Sequence, residues 1–250
     1  GTRGGWVAKW LGVRRPMGQG YAILGAHDLG WLIGGIFRDA GEEVVFIDAH
    51  MEAMREAQQE GFRVVFGNGL EESVLLRADL ESRKAAVGVL WNDAVNLLFI
   101  EKAHDFKVPN TFVAIERGHG GIENDMVDQT GAGILFGGET DVELWSVRLR
   151  RGIAAVACWE WKKSDEPTDD STDAIDAKPA ETPKEHKNTL LPVAVKREET
   201  TELFDHRTNI RDGDAVMWLI CSEREDQADE WLRKKGWVPA PLETLEKEKE

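Results

Sequence analysis

This chain is poor in cysteine, in net positive charge and in long apolar runs. Its only cysteines are Cys158 and Cys221, far apart and outside any CxxC pair. That argues against a disulfide scaffold or a zinc ribbon and reads as two reduced, buried thiols. No run of about 18 apolar residues occurs, so no membrane span is expected, and no secretory signal is visible. Lys and Arg number 31 against 46 Asp and Glu, a net charge of −15. A nucleic-acid partner is therefore not expected, because phosphate backbones are met by clustered cations. GxSxG, Walker and HExxH motifs are missing, and no nucleophile-and-base pair stands out. His50, His104, His119, His186 and His206 show no metal-ligand spacing. With 250 residues, 42% apolar and 31% charged, the composition suits a globular protein of one or two domains with a real core.

What is present is alternation. Tyr21–Leu24 is a short apolar run ending in Gly25. Leu29, Leu32, Ile33, Ile36 and Phe37 then recur at the spacing of one helical face, and Gly41 stops that helix. Residues 43–48 (EVVFID) read as a second strand, 50–59 as a helix, 62–66 as a third strand and 70–80 as a helix. Residues 85–91 read as a fourth strand, 93–105 as a helix, 111–115 as a fifth strand and 134–136 as a short sixth. This rhythm predicts an α/β fold, a doubly wound parallel sheet with helices on both faces. Strand, tight turn, helix, strand and a terminal acid over residues 21–48 form the opening of a Rossmann-type nucleotide site.

The rhythm then changes. Residues 142–149 (VELWSVRL), the turn RRG and 153–161 (IAAVACWEW) read as an antiparallel hairpin. Six acids and no base fall between residues 164 and 177, the pattern of a flexible linker. Residues 191–196 and Ala215–Cys221 read as strands, and 223–235 as a helix with Ala228, Trp231 and Leu232 inward and Gly236 at its end. The expected organisation is an arm (1–19), a Rossmann-like domain (20–138), a small β-rich domain (139–240) with an acidic insert (162–189), and a charged tail (241–250).

The nucleotide fingerprint is half intact. Phosphate binding needs a tight turn, close backbone approach and bare amides at a helix N-terminus. Gly25, Ala26, His27, Asp28, Leu29 and Gly30 supply the segment. Gly25 suits the turn and Gly30 the close helix–strand packing. His27 stands where the fingerprint calls for glycine, and Asp28 would repel a phosphate there. Asp48 lies about 20 residues past the turn, where an acid meets the ribose hydroxyls. A cationic His27 contacting phosphate is one reading; a scaffold kept for packing, with Asp28 as the helix cap, is the other. Asn68 and Trp91 end the third and fourth predicted strands, on the side where ligands of open sheets bind. Asn68 also reads as a plain turn residue, and Trp91 reads as core, with a flank for an adenine as the alternative. Asn92-Asp93 reads as a cap of the following helix. His119, in the loop ERGHGG, reads as a solvated loop residue, with a place facing the crevice as the alternative.

The stretches ILGAHDLG, VVFIDAH, GFRVVFGNGL and LWNDAVNLLFIEKA together resemble the TrkA-N, or RCK, family of cytosolic regulators of potassium transport. In that family a Rossmann-like domain precedes a small β-rich TrkA-C domain; the later segments LPVAVKRE and NIRDGDAVMWLI are loosely similar to a degenerate form of it. The family tends to carry Gly-Asp after the third strand, where this chain has Gly67-Asn68, and an asparagine early in the helix after the fourth, matched by Asn96. Residues 1–17 carry Arg3, Lys9, Arg14, Arg15, Trp6 and Trp10 and no acid, a composition suited to a bilayer edge or, equally, to an ordinary arm that packs its tryptophans on the protein. AKWLGVRRP followed by GYAILGAHDLG looks like the junction after the last membrane helix of sodium/proton antiporters with a fused TrkA-N domain. The resemblance implies an adenine nucleotide ligand (AMP, ATP or NAD(H)), a homodimer, an upstream membrane transport domain in the same protein, a place at the cytoplasmic face of the cell membrane, and no enzymatic activity. A free-standing potassium-uptake subunit and an NAD-dependent oxidoreductase are the alternatives.

Overall fold

The computed structural model describes residues 18–116, 127, 129–163, 180, 182 and 186–242. The N-terminal arm, His119 with its loop, most of the acidic insert and the end of the charged tail lie outside the described residues. The first part runs β1 (Tyr21–Leu24), α1 (Asp28–Asp39), β2 (Val44–Asp48), α2 (Met51–Gln59), β3 (Arg63–Phe66), α3 (Glu72–Arg77), β4 (Ala85–Gly88), α4 (Asp93–Asp105), β5 (Asn110–Val113) and β6 (Gly133–Ile134). Its strands form one sheet in the order β3-β2-β1-β4-β5-β6, parallel throughout. The order reverses between β1 and β4, so a crevice opens beyond their C-terminal ends.

Burial of both sheet faces accounts for the nearly unbroken apolar strands. Tyr21, Ile23, Val44 and Phe46 point to one side, against Leu29, Ile33 and Phe37 of α1 and Met54 of α2. Ala22, Leu24, Val45 and Ile47 point to the other, against Leu75 of α3 and Phe99 and Ile100 of α4.

Residues 142–149 are not the strand of a hairpin. Val142–Arg150 is a helix, α5. The Asp141 carboxylate accepts the Leu144 amide at 2.7 Å and caps it. Val142, Trp145 and Leu149 share one face, which joins the core beside α1. The strand after the helix, β7 (Ala154–Trp161), pairs instead with β10 (Ala215–Cys221) and β11 (Trp237–Ala240). With β8 (Leu190–Arg197) and β9 (Thr200–Leu203) these make an antiparallel sheet in the order β11-β7-β10-β8-β9.

The two sheets share a core. Leu219 and Cys221 of β10, Leu191 and Val193 of β8 and Leu203 of β9 join the cluster that holds Tyr21 and Phe46. The opposite face of β10, with Val216, Trp218 and Ile220, is covered by Trp231 and Leu232 of helix α6 (Glu225–Lys234). Backbone hydrogen bonds continue this contact at the sheet edge: the Phe136 amide donates to the Phe204 carbonyl, and the His206 amide to that of Ile134, both at 2.9 Å. Cys158 and Cys221 are buried and are not joined in a disulfide.

Candidate functional site

The crevice beyond β1, β2 and β4 has a volume of about 610 Å³. Ala26, His27, Asp28 and Trp31 form one wall, Asp48, His50, Glu52 and Glu56 another, and Trp91 and Arg150 close the sides. The floor follows from two glycines. Gly25 adopts φ 118°, which side chains rarely allow. A Cβ on Gly30 would lie 2.1 Å from the Gly25 carbonyl oxygen, so only glycine lets α1 pack so close to the turn. Leu29 is in the core. Gly25, Leu29 and Gly30 thus build the site from beneath and do not line it.

His27 is buried. Its Nε2 lies 2.7 Å from the Val89 carbonyl oxygen, which only accepts, so Nε2 carries the proton. Nδ1 of the neutral ring then accepts from the Ser146 hydroxyl at 3.0 Å. Both nitrogens are engaged, so the reading of His27 as a cation facing phosphate is corrected: the ring bolts the turn to the end of β4 and to α5. Burial pushes its pKa below the ordinary histidine value, joined by Arg150 and opposed by the Val89 carbonyl, Asp48 and Asp28.

A stability prediction follows. Above about pH 6.5 the ring is neutral in folded and unfolded chains alike and its contribution is constant. Below that, the unfolded chain takes up a proton that the folded chain refuses. Stability should fall on acidification from about pH 6.5 toward the folded pKa, by at most ~1.4 kcal/mol per pH unit for this one proton. Urea midpoints measured between pH 7 and 5 should show a shallower slope in His27→Gln; equal slopes would mean that the ring is not held neutral.

Asp48 is buried at the end of β2. Its Oδ2 accepts the Ala26 amide at 2.8 Å, and its Oδ1 accepts the His50 amide at 2.9 Å and lies 3.0 Å from His50 Nδ1. It ties the turn to β2, and a carboxylate has room for about four hydrogen bonds, which leaves capacity for a ribose hydroxyl. Asp28 is not the helix cap: it is the first residue of α1, after His27 at the cap position. Its Oδ2 accepts from Arg150 Nη2 at 2.7 Å and Nε at 3.2 Å, contacts that raise the Arg150 pKa.

Trp91, favoured in the sequence as core, is 49% exposed. Its ring lies 5.6 Å from that of His27 and 6.2 Å from that of His50, so it forms a wall of the crevice. Asn68 stays outside, its side chain accepting the Leu70 amide at 3.0 Å in a local turn. Asn92 caps α4 by accepting the Val95 amide, as its sequence position suggests. Asp93 accepts the Glu116 amide at 3.0 and 3.1 Å, and burial raises its pKa. Asn96 is fully buried; it accepts the Leu90 amide and donates to the carbonyls of Leu90 and Ala114, splinting the ends of β4 and β5.

Sequence reasoning misses Ser146 and Arg150, because residues 142–149 and the turn RRG fit a hairpin, which places Ser146 in a strand and Arg150 in a turn. The helical spacing of Val142, Trp145 and Leu149, with Asp141 ahead of them, was the signal that placed them.

A parallel sheet of order 3-2-1-4-5-6 with an acid ending its second strand and a crevice at the reversal point defines a nucleotide-binding-fold domain of the Rossmann type. Residues 21–132 match the TrkA-N domain family, and this stretch of the chain is a TrkA-N domain. The TrkA-N domain of the inner membrane protein ybaL from Escherichia coli is 18% identical over 47% of this chain and 86% of its own, with a TM-score of 0.41. The NAD(P)-binding domain of an exopolyphosphatase-related protein from Archaeoglobus fulgidus is 21% identical over 46% of this chain and 85% of its own, with a TM-score of 0.41. The GsuK channel bound to NAD is 11% identical and aligns with 95% of this chain but 44% of its own, with a TM-score of 0.42. This chain thus spans less than half the length of that channel. No curated protein matches the sequence. Among the described residues no helix is long and apolar enough to cross a membrane.

Proposed function

We propose that this chain is the cytosolic regulatory domain of a monovalent cation/proton antiporter, working from the cytoplasmic face of the membrane as a homodimer, and that an adenine nucleotide in the crevice biases transport. The family match supports a regulatory role over catalysis. The single observation that carries the ligand reading is Trp91, a half-exposed indole set across an open crevice from Asp48 and His50. An indole of this kind suits an adenine face, and the acid suits a ribose.

The turn itself does not fit a pyrophosphate in its usual place. The His27 ring fills the gap between Gly25 and the end of β4, and the Asp28 carboxylate sits at the helix N-terminus. The reading therefore favours AMP or ATP over NAD(H) in an extended pose. A ligand shifts the transporter only by binding its two states unequally.

Two measurements test this. In a thermal-shift screen with NAD⁺, NADH, AMP, ADP and ATP, a ligand at 100 times its Kd adds about 2.7 kcal/mol, which raises the midpoint by several degrees. A flat response to all five rejects the ligand and leaves a scaffold. In the full-length transporter, deleting residues 20–240, both sheets together, should change the transport rate or its nucleotide dependence while the membrane part still inserts. Unchanged kinetics reject the regulatory role.

A further inference from the structure

We propose that Arg150 is the phosphate receptor of the crevice, exchanging Asp28 for a ligand phosphate, and that the site thereby selects a nucleoside monophosphate. This rests on the adenine-nucleotide reading above and sharpens it. The argument starts from charge. Among the described residues, four carboxylates line the crevice, Asp28, Asp48, Glu52 and Glu56, and one guanidinium, that of Arg150. His27 is neutral and buried between Val89 and Ser146, and His50 faces the Asp48 carboxylate. The Ala26 amide, which a phosphate-binding turn would offer to its ligand, is already held by Asp48. A phosphate entering here meets one strong partner.

That partner is free to change hands. The Arg150 side chain is 68% exposed, and both of its contacts to Asp28 end on one carboxylate oxygen. A guanidinium is a fork of five donors that matches two oxygens of a phosphate side by side, a stronger arrangement than two donors on one oxygen. The first phosphate therefore gains a bidentate cation. A second or third phosphate adds charge opposite Glu52, Glu56 and the released Asp28 and gains no further cation among the described residues, so affinity should not rise from AMP to ATP. That order is the reverse of a glycine-rich phosphate loop, whose amides reward each added phosphate.

The exchange also has a mechanical reading. Arg150 is the last residue of α5, two residues before Gly152 and four before the start of β7. Two side-chain ties join the start of α1 to α5, His27–Ser146 and Asp28–Arg150. A phosphate that captures Arg150 undoes the second, at the point where the chain passes from the nucleotide-fold sheet to the antiparallel one.

Calorimetric titrations of adenosine, AMP, ADP and ATP, at one ionic strength, into wild type, Arg150→Gln and Asp28→Asn test this. Wild type should bind AMP about tenfold tighter than adenosine, from one charge-assisted pair, and ADP and ATP no tighter than AMP. Arg150→Gln should erase the AMP advantage and leave adenosine affinity unchanged, which also shows that the variant is folded. Asp28→Asn should tighten AMP severalfold and leave adenosine unchanged. An AMP-to-adenosine ratio indifferent to Arg150, or affinity rising with phosphate number, overturns the proposal while the nucleotide reading stands. If neither adenosine nor any nucleotide binds wild type, the nucleotide reading falls and takes this proposal with it.

Discussion

Trp218→Ala is expected to lower the melting temperature by about 10 °C. Trp218 lies in β10, the strand between β7 and β8, and is fully buried. It packs edge-on against Trp231 of α6, with ring centroids 6.0 Å apart, and against Trp237 of β11 at 5.5 Å. Its Nε1 has no hydrogen-bond partner among the described residues, so the loss is one of packing and apolar burial. Truncating a buried tryptophan costs roughly 3–5 kcal/mol, and a chain of this size loses about 2–4 °C per kcal/mol. Trp218→Phe, which keeps a ring in the slot, should lose much less. Calorimetry on the three proteins checks the order, and a drop below about 3 °C for the alanine variant would show that the cluster does not hold this sheet together.

Gly30→Ala should cost about 3 kcal/mol or more, an unusually large price for one methyl group. The added Cβ would sit 2.1 Å from the Gly25 carbonyl oxygen, a backbone atom with no side-chain freedom to move aside. Gly25 lies next to the Ala26 amide that Asp48 holds, so the displacement spreads to the acid expected to meet a ribose. Gly35→Ala, on the same helix, meets nothing within 4 Å and serves as the control: it should be neutral or slightly stabilising. Denaturation midpoints compare the two; equal effects would remove close packing as the reason for glycine at position 30.

The nucleotide fold was legible because its strands are buried on both faces. Tyr21–Leu24 is apolar at every position, and Leu29, Ile33 and Phe37 mark the face of α1 without ambiguity. Ala215–Cys221 was equally plain. α5 was not, because Val142, Leu144 and the turn RRG fit a hairpin as well as a helix. What decides for helix is tertiary: α1 presents an apolar flank that Val142 and Trp145 cover.

The site divides in the same way. Ala26, His27, Asp28 and Asp48 belong to a local fingerprint and could be named from spacing alone. Their partners Ser146 and Arg150 lie 119 and 122 positions further along, and no local pattern joins such distant residues. Trp91 was misjudged for another reason. Tryptophan is usually core, and nothing in the sequence shows that the chain beyond β4 turns this one outward.

The floor under β1 and β2 is furnished partly by Leu191, Val193, Leu203, Leu219 and Cys221, residues from the far half of the polypeptide. Anyone dissecting this protein by cutting near residue 138 would strip that floor and leave an oily flank open to self-association. The same seam takes in Leu149 of α5 and Ala154 of β7, so the chain passes from one sheet to the other inside a common core.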